Sequence, residues 1–516
     1  MNYSFLNLFF LVSLISCQEA IIPKSLPNVI LILVDDMGFS DLGAYGSEIE
    51  TPHIDRLAFE GIRFSNAYNT SKCFPSRAAI ITGLYSQQTG YNKSFQQPMR
   101  NAITLGELFK LKDYTTLWSG KHHSKENPVD RGFDHYSGLL DGAANHFNPG
   151  LQREGEGKPA QKGLRNTPAT FRNWVIEGTV FNPYTPKQKD FYSTDAFTDY
   201  ALEWIDKIQT KKPFFLYLSY TAPHDPLMAW EEDIKKYKGR YRDGYEKIRK
   251  QRFDKQKELG VLPNKTILSK AAHEDWDSLS KEEKKSETQT MAVYAAMIDR
   301  LDQNIGKLLI KLEKQGKLNN TLILFTSDNG GSGEVVNIRR GTGAIGALTN
   351  WKSLGKNWAN VSNTPYREYK NWSHEGGIKT PLIAYWPDKI KNTGKIVHKP
   401  VHFIDFLPTL QEIIGAEYPT KYNGDQITPS PGQSFLPELL GKPKQDRDGA
   451  LFWEWSHGKA IRKGNWKMVA HKNVWELYNL QNDPIEEINL IDQEFEIADS
   501  LKKQYLEWEY QFNLQK

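Results

Sequence analysis

Cysteine is almost missing from this chain: its 516 residues include only Cys17 and Cys73. Two thiols exclude a disulfide-stapled scaffold and any zinc or iron–sulfur centre built from several cysteines. A charge surplus is missing too. The 66 basic and 62 acidic residues leave a formal +4, which argues for no nucleic-acid partner and is compatible with an anionic substrate. There is no internal repeat and no low-complexity segment. Hydrophobic residues at 39% and charged residues at 25% place the chain among globular proteins. Beyond the N-terminal leader, no stretch has the length of a membrane span.

What is present begins with that leader. Residues 1–16 carry no charge, and Phe5 to Ile15 is an apolar run too short to cross a bilayer, the pattern of a cleaved export signal. The sequence Leu14-Ile15-Ser16-Cys17 resembles a bacterial lipobox, so residues 1–16 are expected to be a lipoprotein signal peptide. Cys17 would then be lipidated, anchoring an exported protein to a bacterial membrane, the outer one by expectation, on its periplasmic or cell-surface side. An ordinary secretory signal is the alternative.

Val29 to Val34 is a continuous β-branched and leucine run, as in a parallel strand covered on both faces, and it ends in Asp35-Asp36. Three further runs also end in polar chemistry: Tyr114 to Trp118 before Lys121, Phe214 to Leu218 before His224, and Leu322 to Phe325 before Asp328-Asn329. Two amphipathic helical patterns, Phe197/Ala201/Trp204/Ile208 and Val293/Met297/Leu301/Ile305/Leu308, precede two of these runs. The alternation predicts an α/β fold with a large mixed, mainly parallel sheet flanked by helices. Parallel neighbours would bring all four strand exits to one crevice. From about residue 400 short strand patterns and a final helix with Ile497/Leu501/Tyr505/Trp508/Phe512 on one face predict a smaller C-terminal α+β subdomain. The expected division is 22–400 catalytic and 401–516 C-terminal.

The segment Cys73-Phe74-Pro75-Ser76-Arg77 opens a helix, with proline in the first turn. Cys73 would sit at the positive end of that helix with Arg77 on the same face, where a bare thiol could be a low-pKa nucleophile. Cys-x-Pro-Ser-Arg is also the recognition core for oxidation of cysteine to formylglycine. With Asp35-Asp36, Gly120-Lys121-His122-His123, Ala222-Pro223-His224, Ser327-Asp328-Asn329-Gly330 and His374-Glu375-Gly376-Gly377-Ile378-Lys379-Thr380-Pro381, the chain resembles the formylglycine-dependent (type I) sulfatases. These have an alkaline-phosphatase-like fold. Six motifs in the family's order cover most of the chain.

The resemblance implies a sulfuric ester hydrolase. A sulfate monoester resists attack because its oxygens are anionic and the departing alkoxide is a poor leaving group. Asp35, Asp36, Asp328 and Asn329 offer hard oxygen ligands for Ca²⁺, with Mg²⁺ possible, and residue 73, as formylglycine (3-oxoalanine), is by resemblance a further ligand. The hydrated aldehyde attacks sulfur, and its second hydroxyl lets sulfate leave by elimination, which an ester of serine or cysteine cannot do. Arg77, Lys121 and Lys379 are expected to surround the anionic oxygens. His224 is expected to protonate the leaving oxygen, and His123, chosen over His122 by the family spacing, to take the diol's proton. His374 and Glu375 either shape the loop that presents Lys379 or are structural.

The expected substrate is a sulfated polysaccharide or its oligosaccharides, and a formylglycine-generating enzyme is the expected maturation partner. Monomer is the default. Between Glu231 and Lys257 lie 11 basic and 6 acidic residues, with Tyr237, Tyr241 and Tyr245 at helical spacing. They make either a solvated helix with a packing stripe or a glycan-holding rim, and Trp351, Trp358 and Trp372 raise the same pair of readings. Two rivals stand beside the sulfatase. One is a phosphatase or phosphodiesterase of the same fold, which typically uses serine or threonine and more metal-binding histidines. The other is an inactive glycan-binding lipoprotein, which every competent motif position speaks against.

Overall fold

The structure, a computed structural model, describes residues 26–157, 159, 172–208, 212–336, 342–442 and 446–513; the leader and Cys17 lie outside them. Among the described residues eleven strands form the main sheet: β1 (Asn28–Asp35), β2 (Ile62–Tyr68), β3 (Thr115–Gly120), β4 (His135–Leu139), β5 (Trp174–Ile176), β6 (Thr179–Phe181), β7 (Phe214–Pro223), β8 (Thr321–Ser327), β9 (Lys379–Tyr385), β10 (Lys395–Val397) and β11 (Val401–His402). Their order is β10-β2-β9-β8-β1-β7-β3-β4-β5-β6, with β11 also on β2. The four runs read from the sequence are the consecutive strands β8, β1, β7 and β3, and every pairing among them is parallel. β9 runs antiparallel to both neighbours, β2 and β8, so the sheet is mixed.

The unbroken apolar run of β1 follows from cover on both faces. Ile30, Ile32 and Val34 face one core with the helices Ser193–Lys207 and Lys281–Lys314. Val29, Leu31 and Leu33 face a second core with the helices Cys73–Thr82 and Phe406–Ile414. Among the described residues no helix is long and apolar enough to cross a membrane.

A four-stranded antiparallel sheet, Leu451–Trp455, Gly458–Lys463, Trp466–His471 and Val474–Asn479, carries the C-terminal helix Phe495–Asn513. Val401–His402 still belongs to the main sheet, so the antiparallel architecture begins well after residue 401. Trp453 docks it: its indole N–H donates to the Asn69 carbonyl at 2.7 Å and its ring meets Tyr68 edge-on at 5.4 Å. That contact braces the chain between β2 and Cys73.

The tyrosines at 237, 241 and 245 do not share one helix. They straddle the break between Glu231–Tyr237 and Tyr245–Glu258, and all three are fully buried. Trp358 is buried against Tyr241, Tyr245 and Trp276. The spacing therefore reflects packing: of the two readings raised for this segment, the packing stripe is the one that the three tyrosines and Trp358 show.

Candidate active site

Asp35-Asp36, Lys121, His224 and Asp328-Asn329 leave the carboxyl ends of four adjacent parallel strands, so their side chains converge. Sharp turns make this possible. Asp36 has a left-handed backbone, φ 66, held by the Tyr294 hydroxyl, which donates to the Asp36 carbonyl at 3.1 Å. His123 has φ 63. At Gly120, φ 112, a Cβ would lie 1.9 Å from the Ser219 carbonyl oxygen, so only glycine lets the chain turn into Lys121. Side chains held in such conformations cluster where function over-determines them.

Cys73 is the first residue of the Cys73–Thr82 helix and is buried. Ser76 Oγ accepts from the Thr70 N–H at 2.9 Å, tying down the turn ahead of it. Burial pushes the Cys73 thiol up from its usual value, against the pull of Lys121 and Lys370. A low-pKa thiolate is thus disfavoured, and the plain thiol is a poor nucleophile here. Arg77 points along the same face. Its Nε and Nη2 lie 2.9 and 2.8 Å from Asp328 Oδ2, and its Nη1 donates to the Lys121 carbonyl at 3.1 Å and to Ser219 Oγ.

Lys121 is paired with Asp35 Oδ2. The third cation at this centre is Lys370, with Nζ 2.7 and 2.9 Å from the two Asp36 oxygens and 3.2 Å from Glu334 Oε2. Lys379 is elsewhere, which corrects the expected assignment. Successive strand residues face opposite ways. Thr380 meets Ser327, while Lys379 lies 3.1 Å from Glu375 Oε2 and over the rings of Tyr366 and Tyr68. It lines a separate cavity of about 650 Å³ with Arg462 and Lys399. Glu375 also takes Lys467 at 2.8 Å, and His374 Nε2 lies 2.9 Å from Glu476. Both residues are structural.

His224 Nε2 lies 3.5 Å from Asp36 Oδ2 and Nδ1 3.0 Å from Asp225 Oδ1. Burial works against its protonation, yet Asp36 and Asp35 prevail and raise its pKa, favouring the proton-donating form. His123 is the opposite. Burial, then Lys121 and Arg77, push it well below the usual histidine value, and its Nδ1 has no hydrogen-bond partner among the described residues. A neutral imidazole with a free nitrogen is a proton acceptor. His122 turns away against Trp118, ring centroids 4.4 Å apart.

The carboxylates invite a cation. Burial and then Asp35 raise Asp328 to about 7. Asp35 itself is held low, since Lys121, His224 and Arg77 outweigh its burial. Asp35 Oδ1 and Asn329 Oδ1 are buried acceptors without a hydrogen-bond partner among the described residues, while the Asn329 amide nitrogen donates to Asp36 at 2.6 Å, which aims its oxygen the other way. Three carboxylates and one amide oxygen suit a hard divalent ion.

The sulfatase family model matches residues 27–416. The chain is a sulfatase. The model of the N-sulphoglucosamine sulphohydrolase C-terminal region matches residues 367–511. An uncharacterized sulfatase of Schizosaccharomyces pombe is 32% identical over 94% of this chain and 93% of its own. An arylsulfatase of Klebsiella aerogenes is 33% identical over 76% of this chain and 87% of its own. The solved structure of Ps i-CgsB with k-i-k-neocarrahexaose superposes with TM-score 0.67 at 27% identity, covering 94% and 93% of the two chains. The enzyme therefore hydrolyses sulfate esters on the expected fold, and its family generally uses a formylglycine and a divalent metal.

Sequence reasoning missed Lys370, Glu334, Asp225 and Asn371. Two lysines flank the Glu375-Gly376-Gly377 turn, and only the one outside the strand, Lys370, is free to reach the β1 exit. Strand alternation from Thr380 was the signal that could have separated them.

Proposed function

We propose that this sulfatase removes sulfate from sulfated saccharides, with residue 73 matured from cysteine to formylglycine and with Ca²⁺ or Mg²⁺ held by Asp35, Asp36, Asp328 and Asn329. The observation that carries the reading is the gathering of these four oxygen-bearing residues beside Cys73, with Arg77, Lys121 and Lys370 around it and with Asp35 Oδ1 and Asn329 Oδ1 accepting no hydrogen bond among the described residues. The divalent ion supplies charge neutralisation for an anionic ester and lowers the cost of an oxyanion. Formylglycine supplies a hydroxyl nucleophile in place of the protonated thiol.

The chain's own groups do the rest. Arg77, Lys121 and Lys370 are fixed cations in a dry site, positioned before the reaction and so effective at stabilising growing negative charge. His224, oriented by Asp225, donates its proton to the departing ester oxygen. His123 accepts a proton at residue 73, which its neutral state permits. The matched N-sulphoglucosamine sulphohydrolase region and the saccharide-bound neighbour support a sugar substrate.

The test is product analysis. Sulfate release from sulfated oligosaccharides without phosphate release from phosphoesters supports this reading over a phosphatase, and no release of either by matured protein refutes it. Mass spectrometry across residue 73 from the native host must show the loss of sulfur that formylglycine entails. In the same preparation an acylated N-terminal Cys17 is the outcome that fits a membrane-anchored, exported enzyme.

A further inference from the structure

A continuous arc of contacts leads outward from Cys73. It starts at Lys370, passes to Glu334 at 3.2 Å, and from Glu334 to the Asn371 amide nitrogen at 3.0 Å. The Asn371 amide oxygen then accepts from the Trp455 indole at 3.0 Å. Trp455 packs edge-on against Phe74 at 5.1 Å, Phe74 against Phe95 at 5.5 Å, and Phe95 against His123 at 4.8 Å. Half of this arc is charged and half aromatic. Lys72, next to Cys73, adds a 2.8 Å pair to Glu334.

Asn371 is the joint. Its backbone is left-handed, φ 79, its N–H donates to the Ser71 carbonyl at 2.9 Å, and both ends of its side-chain amide are used. Asparagine tolerates that conformation better than most residues, and here the strain sets a carboxylate and an indole side by side. Glu334, Asn371, Trp455 and Phe95 are all partly exposed, unlike the buried tyrosines of the 231–258 segment.

We propose that Trp455 and Glu334, aligned by Asn371, are the specificity-determining residues of the sulfatase site and select a pyranose ring. The aromatic wall of Trp455 and Phe95 takes the apolar C–H face of the sugar, and Glu334 accepts from hydroxyls beside the sulfate. A pyranose offers C–H groups on a ring face and hydroxyls around its edge, and an aryl ester has no hydroxyl for Glu334. Trp455 comes from the C-terminal sheet, so that subdomain helps to choose the substrate while the main sheet carries the chemistry. This inference rests on the saccharide reading given above.

The test compares kcat/KM for 4-nitrophenyl sulfate with that for galactose 6-sulfate, N-acetylglucosamine 6-sulfate and sulfated galactan hexasaccharides, using full-length matured protein. Glu334→Ala, which also removes a partner of Lys370, lowers the value for the best saccharide by on the order of 10-fold more than it lowers that for the aryl ester, so the saccharide-to-aryl ratio falls. Trp455→Ala lowers the saccharide value by about 10- to 100-fold, and Trp455→Phe restores most of it because a stacking face returns. Asn371→Gly, which keeps the left-handed turn, shifts the saccharide-to-aryl ratio in the same direction as the other two. An unchanged ratio in Glu334→Ala, or equal damage from Trp455→Phe and Trp455→Ala, overturns the proposal. Native enzyme that cleaves the aryl ester and none of the saccharides overturns it too, while the sulfatase assignment stands. Failure on every substrate overturns the underlying reading instead.

Discussion

Lys370 and Lys379 flank one turn, and neutralising each should leave opposite signatures. Lys370→Met removes contacts of 2.7 and 2.9 Å to Asp36 at the centre of the site. Loss of one preorganised charge of this kind costs roughly 10² to 10³ in rate, or about 2.7–4 kcal/mol of transition-state stabilisation. Lys379→Met removes a 3.1 Å contact to Glu375. Glu375 keeps Lys467 at 2.8 Å and the Tyr68 hydroxyl at 2.8 Å, so the carboxylate is not abandoned. The cost to folding is then about 1–3 kcal/mol, below that of breaking an isolated buried pair. Turnover of 4-nitrophenyl sulfate, normalised to the fraction of residue 73 matured, reads the first quantity, and urea unfolding reads the second. Lys379→Met with an intact fold and a hundred-fold loss per matured site would refute the placement of these two lysines, as would full activity in Lys370→Met.

Calcium at 100 times its dissociation constant should raise the unfolding free energy of the native protein by about 2.7 kcal/mol; Asp328→Asn, which also weakens the buried pair with Arg77, should lose most of that calcium-dependent gain, as the difference in thermal unfolding with and without chelator will show. His224→Ala should slow sugar sulfates far more than 4-nitrophenyl sulfate, whose leaving group needs no proton, and equal losses on both would remove His224 as the acid. Burial, then Arg447, lowers the His402 pKa from 6.5 to about 3; its folded value lies below the unfolded one, so its contribution is complete above pH 6.5 and is lost as pH falls toward 3. At pH 5 that loss is about 2 kcal/mol, so His402→Gln should flatten the decline of urea midpoints between pH 7 and pH 5.

Much of the site was readable because the sheet does the assembling. Each of β1, β3, β7 and β8 is an apolar run ending in polar residues, and parallel order alone then brings Asp35, Lys121, His224 and Asp328 together. Residues on irregular segments were not readable in this way. Lys370 reaches Asp36 from a loop whose course depends on the left-handed turn at Asn371, and strand period gives no information there. The tyrosines at 237, 241 and 245 misled for the converse reason: helical spacing holds equally for a solvent stripe and a buried one, and Trp358 with Trp276 decides for burial.

The two sheets divide the work along a physical line. The charged centre needs rigidity, because fixed cations lower a barrier only if they need not reorganise, and it is built on strand exits with cores on both faces of the sheet. Selection needs surface that can change without disturbing that centre. Trp455 meets the condition. It ends the first strand of a separate antiparallel sheet, yet its indole is bonded to Asn371, the residue after Lys370. A substitution at Trp455 can thus alter which alcohol is accepted while Asp35, Arg77 and Lys121 keep their partners, and for this reason the rim, rather than the charged floor, is where relatives of this chain should differ most in substrate.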